Sequence, residues 1–211
     1  MIQYNISYKN PHKHFIDFSL TTKTNGVDVI NFQLPAWRPG RYELGNFSQN
    51  IYNWRAYNEK NKALNFKKVN KDKWQVDCKN EEEIIISYSF YANQLDAGSC
   101  YLDEKQLYIN PVHCIFYITD RINDKYEITF DIPQDYIIAS SLEKSKNLLK
   151  GNSFDEIAES PIICSNTIKH DIYTVNKINF NLWFQGPCNI NWNKIKTDFI
   201  AFTQTQINHF D

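Results

Sequence analysis

At 211 residues, 42% of them hydrophobic and 15% aromatic, the chain is long enough to bury a sizeable core and too apolar for disorder. Its 23 lysines and arginines nearly cancel 24 acidic residues, a formal charge of −1, which excludes the basic field that nucleic-acid or anionic-membrane binding needs. No apolar run approaches the ~20 residues of a membrane span, and Met1-Ile2-Gln3-Tyr4 starts a strand-like alternation rather than a signal peptide, so the chain as given reads as cytoplasmic, and as exported if a leader was removed.

Apolar residues recurring with period two make the body β. Ile2, Tyr4, Ile6 and Tyr8 alternate with polar residues, as do Ile16, Phe18 and Leu20, then Val27 and Val29 beyond the turn at Thr24-Asn25-Gly26. Residues 34–42 read Leu34-Pro35-Ala36-Trp37-Arg38-Pro39-Gly40-Arg41-Tyr42. Pro35 and Pro39 fix their own φ and push Leu34 and Arg38 into extended conformations, while Gly40 supplies the free φ of a turn. An ordered, rigid exit from a strand is expected, with Trp37 mostly buried. Lys67, Lys68, Lys71 and Lys73, interleaved with Asn and Asp, read as a solvated hairpin end.

The alternation resumes at Trp74, Val76 and Cys78, at Ile84, Ile86, Tyr88 and Phe90, and, after the turn at Asn123-Asp124, at Tyr126, Ile128, Phe130 and Ile132. Ser153 followed by Glu156 is a capping box, predicting a short helix from Phe154 to about Glu159 that stops before Pro161. Ile178, Phe180, Leu182 and Phe184 form a last strand. After the N-cap Asn191, the residues Trp192, Ile195, Phe199, Phe202, Gln206 and Phe210 recur at helical spacing, an apolar stripe that faces either the sheets or a missing partner. The fold class expected is mostly β: antiparallel sheets packed as a sandwich or saddle, with a C-terminal amphipathic helix.

Catalytic machinery is hard to find. Among Cys78, Cys100, Cys114, Cys164 and Cys188 there is no C-x-x-C spacing, so neither a zinc ribbon nor a thioredoxin-like motif is supported. Cys78 and Cys114 are expected as buried thiols, with one disulfide open to an exported protein. None of His12, His14, His113, His170 and His209 is followed by Glu, and His12 and His14 belong to a solvated strand start, so no zinc site is expected. Asp103-Glu104 and Asp155-Glu156 are adjacent pairs pointing to opposite sides, better explained as solvated turns than as acid/base couples. Of the aromatic residues Trp37, Tyr42, Trp54, Tyr57, Trp74, Tyr91 and Tyr101, most are expected in the core, with Tyr91 and Tyr101, which flank the polar loop 92–100, the best placed for a peptide or sugar platform.

Three stretches carry a resemblance: Leu34-Pro35-Ala36-Trp37-Arg38-Pro39-Gly40-Arg41-Tyr42, Tyr101-Leu102-Asp103 running on to Asn110, and Phe154-Asp155-Glu156-Ile157-Ala158-Glu159-Ser160-Pro161. In order and content the chain resembles, over almost its whole length, the amino-terminal domain of the glycyl aminopeptidase family, zinc peptidases that usually carry a PDZ domain. The last stretch is similar to the family's acidic-Ser-Pro signature, with Glu159 where the family usually has an aspartate one methylene shorter.

The resemblance implies an amino-terminal β domain over residues 1–188 and, over residues 189–211, the first helix leading into a missing catalytic domain. It also implies a thermolysin-like catalytic domain in cis, holding zinc through His-Glu-x-x-His, with this domain as one wall of the peptide cleft and inert alone. Glu159 is then the first candidate to meet a substrate's ammonium, followed by Asp155 and Tyr101. Leu34, Pro35, Trp37, Pro39, Gly40 and Tyr42 form the structural motif. A free-standing β-sandwich module that binds carbohydrate or protein, and a structural domain without peptidase function, remain open alternatives.

Overall fold

The computed structural model of the chain describes residues 1–38, 40, 41, 43–96 and 98–210. In chain order the strands are β1 (Ile2–Ser7), β2 (Phe15–Lys23), β3 (Val29–Gln33), β4 (Ile51–Asn58), β5 (Phe66–Asn70), β6 (Lys73–Asp77), β7 (Glu83–Tyr91), β8 (Tyr101–Leu102) and β9 (Leu107–Ile109). They continue as β10 (Tyr117–Ile118), β11 (Tyr126–Asp131), β12 (Ile137–Ala139), β13 (Glu143–Ser145), β14 (Leu148–Gly151), β15 (Ile162–Ser165), β16 (Ile168–Val175) and β17 (Ile178–Gln185). Three helices join them: α1 (Pro111–Cys114), α2 (Phe154–Ala158) and α3 (Trp192–Phe210).

A seven-stranded sheet in the order β13-β14-β11-β1-β2-β7-β4 forms one layer. Its register lines up the apolar positions that the alternation marks. Phe130, Ile6, Phe18 and Tyr88 form one row across four strands, and Ile128, Tyr4, Leu20 and Ile86 form the next, every member buried. A slip of one residue in any strand would turn its whole set outward, so burial on one face fixes the register. The expected antiparallel pairing holds throughout except between β1 and β11, which run parallel. Two four-stranded sheets, β10-β3-β6-β5 and β12-β15-β9-β8, and the hairpin β16-β17 complete the β structure.

The core lies between the large sheet and the β10-β3-β6-β5 sheet, bridged by rings. Phe18 stacks on Tyr88 at 5.0 Å, Tyr88 meets Phe116 edge-on at 5.0 Å, Phe116 meets Trp74 at 5.1 Å, and Trp74 stacks on Trp54 at 5.9 Å. Two core tyrosines also hold backbone. The Tyr4 hydroxyl accepts from Phe116 N at 2.9 Å and donates to Phe116 O at 3.1 Å, and the Tyr88 hydroxyl donates to Cys114 O at 2.6 Å. A buried hydroxyl without such partners would be costly, so these bonds fix the exit of α1, and with it the residues just before, against the large sheet.

Two expectations change. Val27 and Val29 are 48% and 43% exposed, while Ile30 and Phe32 turn inward: after the tight turn at 24–27 and a bend at Asp28 the chain passes from the large sheet into the β10-β3-β6-β5 sheet, which β3 enters with the opposite phase. Trp37 is 51% exposed, not buried. β3 ends at Gln33, and after the buried Leu34 the chain leaves the sheet, so Pro35 and Ala36 are partly exposed and Trp37 is exposed. Pro39 and Tyr42, the remaining members of that motif, lie outside the described residues.

The stripe of α3 also divides. Trp192, Ile195 and Ile207 pack with the hairpin residues Tyr173, Val175, Leu182, Phe180 and Phe184, and Thr203 Oγ1 lies 2.9 Å from the Tyr173 hydroxyl. Phe202 and Phe210 point to solvent instead, at 52% and 83% exposed, because the helix turns that face away from the two-stranded hairpin. All five cysteines are free thiols, with Cys78 and Cys114 buried as expected.

Candidate functional site

The strand exit after β3 is pinned from both sides. Leu34 is fully buried and its N donates to Asp72 O at 2.8 Å, while the Gln33 side-chain amide donates to Leu34 O at 2.7 Å and Asp72 O at 3.0 Å. Farther on, Arg41 N donates to Arg38 O at 3.3 Å around Gly40, whose φ of +83° suits glycine, and Gly45 N returns to Ala36 O at 2.8 Å. These bonds close a turn among the described residues of the segment, and Trp37 lies exposed on it.

Opposite Trp37 stands α2. Ser153 caps it by accepting from Glu156 N at 3.2 Å, and Glu156 Oε2 reaches back to Asn152 N at 2.6 Å, so the capping box closes one residue earlier than its usual form. Phe154 and Ile157 face the core, Phe154 packing on Tyr117 with ring centroids 4.6 Å apart. The helix ends where Glu159 leaves helical geometry at φ −89°, ψ 1°, its N still donating to Asp155 O at 3.1 Å. Asp155 and Glu159 thus sit one turn apart on the outward face, both exposed. None of the ion pairs between described residues uses either carboxylate.

Between the two elements lies a pocket of about 550 Å³, lined by Gln33, Trp37, Tyr117, Asp155 and Glu159 among others. Burial, and then the Asp155 carboxylate, pushes the Tyr117 hydroxyl above its usual pKa, so the acidic field extends to the pocket wall. Chemically, the pocket offers a flat ring and two carboxylate acceptors, the equipment for an amine or ammonium group beside an apolar side chain.

The structure brings Asp155 and Glu159 together but leaves Tyr101 elsewhere. Tyr101 opens β8, half-buried, its ring 6.2 Å from His14, which in turn meets Tyr91 edge-on. Gln33, Trp37 and Tyr117 are pocket residues that the motifs do not mark as binding residues. Parity within β3, which sets Gln33 opposite the buried Phe32, is the signal that finds the first. A second pocket, of about 410 Å³, opens beside the same segment near Arg38, Arg41 and His113.

Among the described residues no group of three or more His, Cys, Asp or Glu side chains is placed to hold a metal ion, and the residues present do not fit a zinc site. No helix among them is long and apolar enough to cross a membrane.

A crystal structure of an aminopeptidase N family protein from Idiomarina loihiensis superposes on 99% of this chain with a TM-score of 0.91 at 23% sequence identity, which shows the shared fold. This chain spans 36% of that protein's length. An M1 zinc metallopeptidase variant from Deinococcus radiodurans, crystallised with a Tyr-Ser-Ala substrate, matches far more loosely, with a TM-score of 0.45 at 9% identity over 94% of this chain and 51% of that one. No curated protein matches the sequence. The family model for the Peptidase M61 N-terminal domain matches residues 3–166, most of the chain, and the chain belongs to that family.

Proposed function

We propose that this chain is the non-catalytic amino-terminal part of a zinc metallo-aminopeptidase of the glycyl aminopeptidase kind. Residues 1–188 form the β domain and residues 189–211 the helix leading toward a catalytic domain in cis. Zinc and the hydrolytic groups belong to that other domain, and this one supplies a wall of the peptide cleft. The observation that carries the reading is the outward pair Asp155 and Glu159, one turn apart on a pocket faced by the exposed Trp37. Family membership supports it, since the domain's relatives are parts of larger peptidases.

In this reading the peptide's ammonium donates to Glu159, with Asp155 adding charge one turn behind, and Trp37 covers the first side chain. Charge-assisted bonds of this kind are worth roughly 1.5–3 kcal/mol. Aminopeptidase kinetics of a protein that joins this chain to its catalytic domain test the reading. Glu159→Gln should raise KM about tenfold or more for peptides with a free amino end and leave amino-blocked peptides unchanged. Equal losses on both substrates, or a lower melting temperature with unchanged KM, would assign Glu159 to structure.

A further inference from the structure

We propose that the second pocket is a carboxylate-binding site, and that it takes the carboxyl end of a short peptide whose ammonium lies on the acidic pocket across the 34–41 segment. The first half stands on the pocket's own geometry; the second rests on the reading of Glu159 and Asp155 given above.

Two arginines, a buried imidazole and a glycine set the chemistry. The cavity of about 410 Å³ is lined by Arg38, Arg41, Phe47, Gly98 and His113, among others. Gly98 is the cradle of the Arg38 guanidinium: a Cβ built there would lie 2.4 Å from Nη2 and 2.7 Å from Nη1. Any side chain at position 98 therefore moves the charged group off its seat. Such a planar fork is the natural partner of a carboxylate, which it can meet through two parallel hydrogen bonds.

Two acids among the described residues lie near the arginines. Asp96 is committed to its own turn, Oδ1 accepting from Gly98 N at 2.7 Å and Oδ2 from Gln94 Nε2 at 2.6 Å. Those bonds, the Gly98 N–H first, and to a lesser degree the Arg41 charge hold its carboxyl pKa below the usual range. Glu43 stands 3.8 Å from Arg41 Nε, both side chains mostly in solvent, a pair of little strength.

His113 supplies the second, independent sign of a ligand. It is only 9% exposed, lies flat on Phe47 at 3.9 Å between ring centroids, and its Nε2 has no hydrogen-bond partner among the described residues. A buried ring nitrogen without a partner is costly, and a polar ligand atom reaching it would recover that cost. Burial first, and then the Arg38 charge, bring its pKa down to about 4, with Asp96 opposing and Arg41 adding. A bound carboxylate reverses part of that field. His113 should then take up a proton as the ligand binds, and binding should tighten as pH falls from 7 to 5 while the ligand itself stays ionised.

The layout sets the size of the ligand. Trp37 faces the acidic pocket, and the next residue, Arg38, lines both, its guanidinium seated against Gly98 in the second. Opposite charges on the two sides of one short segment suit a small zwitterion, a peptide of a few residues with both ends free.

The test follows the His113 imidazole signals of the 211-residue chain by NMR. Three amino-blocked probes separate the sources of the carboxylate: N-acetylglycylglycine, N-acetylglutamic acid α-amide and, without a carboxylate, N-acetylglycylglycinamide. The first should shift the His113 signals saturably and raise its pKa by about one unit or more, the amide should not, and Arg41→Gln and Gly98→Ala should each weaken binding about tenfold with melting temperature unchanged. Should Gly98→Ala fail to fold, Arg41→Gln carries the comparison.

No saturable shift, or an equal response to the amide, would overturn the site. A response to the glutamyl probe alone would overturn its assignment to a peptide's end. Triglycine against wild type and Glu159→Gln completes the set. Binding of N-acetylglycylglycine with no gain for triglycine from Glu159 would sink the acidic-pocket reading while leaving the carboxylate site standing.

Discussion

His113 shows how far one residue's behaviour departs from its sequence neighbourhood. Pro111 places it in the first turn of α1, but its burial comes from Phe47, far away in the chain, and from core tyrosines that hold residues 114 and 116. Nothing local announces this, so the residue was legible only as a histidine without a metal motif. Its pKa of about 4, against 6.5 ordinarily, fixes a pH dependence. The unfolded chain binds a proton there at pH 5 and the folded chain does not, so stability present above pH 6.5 is lost as pH falls toward 4. Between pH 7.5 and 5 the loss should be about 2 kcal/mol, read as a difference between wild type and His113→Gln in urea titrations at both pH values. Equal pH dependence in both proteins would show that His113 titrates freely.

Tryptophans make the opposite point, since their burial follows from register. Trp74 is buried at 4% exposure on the inward parity of β6, whereas Trp37 lies beyond the end of β3 and outside any sheet. Its size alone makes Trp37 look like core. Trp74→Ala should cost about 3–5 kcal/mol and Trp37→Ala less than about 1 kcal/mol in chemical denaturation. A large loss at Trp37 would return it to the core and remove it from the pocket.

At the scale of elements, strands with a strict inward set were legible and elements with divided surroundings were not. β1, β2, β6, β7 and β11 present the residues that period two predicts, because one face of each meets a closed core. β3 departed from expectation because the chain changes sheets after the bend at Asp28, and the stripe of α3, open between sheets and a missing partner, is covered only in part by a two-stranded hairpin. α2 was readable in type and place from Ser153 and Glu156, though its Glu156 bonds Asn152. Because that cap aims Asp155 and Glu159, Ser153→Ala should cost about 1 kcal/mol of stability, measured by thermal or urea unfolding. A neutral substitution would mean that burial of Phe154 and Ile157 alone holds the helix.

For the whole molecule, the sequence motifs point to the family and the β architecture, while the site was only half legible. The acidic pair came from a signature, but the ring facing it and the basic pocket beside it exist only once β3, α1 and α2 meet around the 34–41 segment. The proposed role, a wall of a peptide cleft, rests on the acidic pocket, the exposed Trp37 and the membership of a peptidase domain family. Photo-crosslinking tests that role most directly, using a free-amino peptide with a photoreactive first side chain bound to a protein that joins this chain to its catalytic domain. Crosslinks on Trp37 and residues 158–161, competed away by unlabelled free-amino peptide and not by its amino-blocked form, are the expected result; crosslinks confined to the catalytic domain, or to the polar outer face of the seven-stranded sheet, would contradict it.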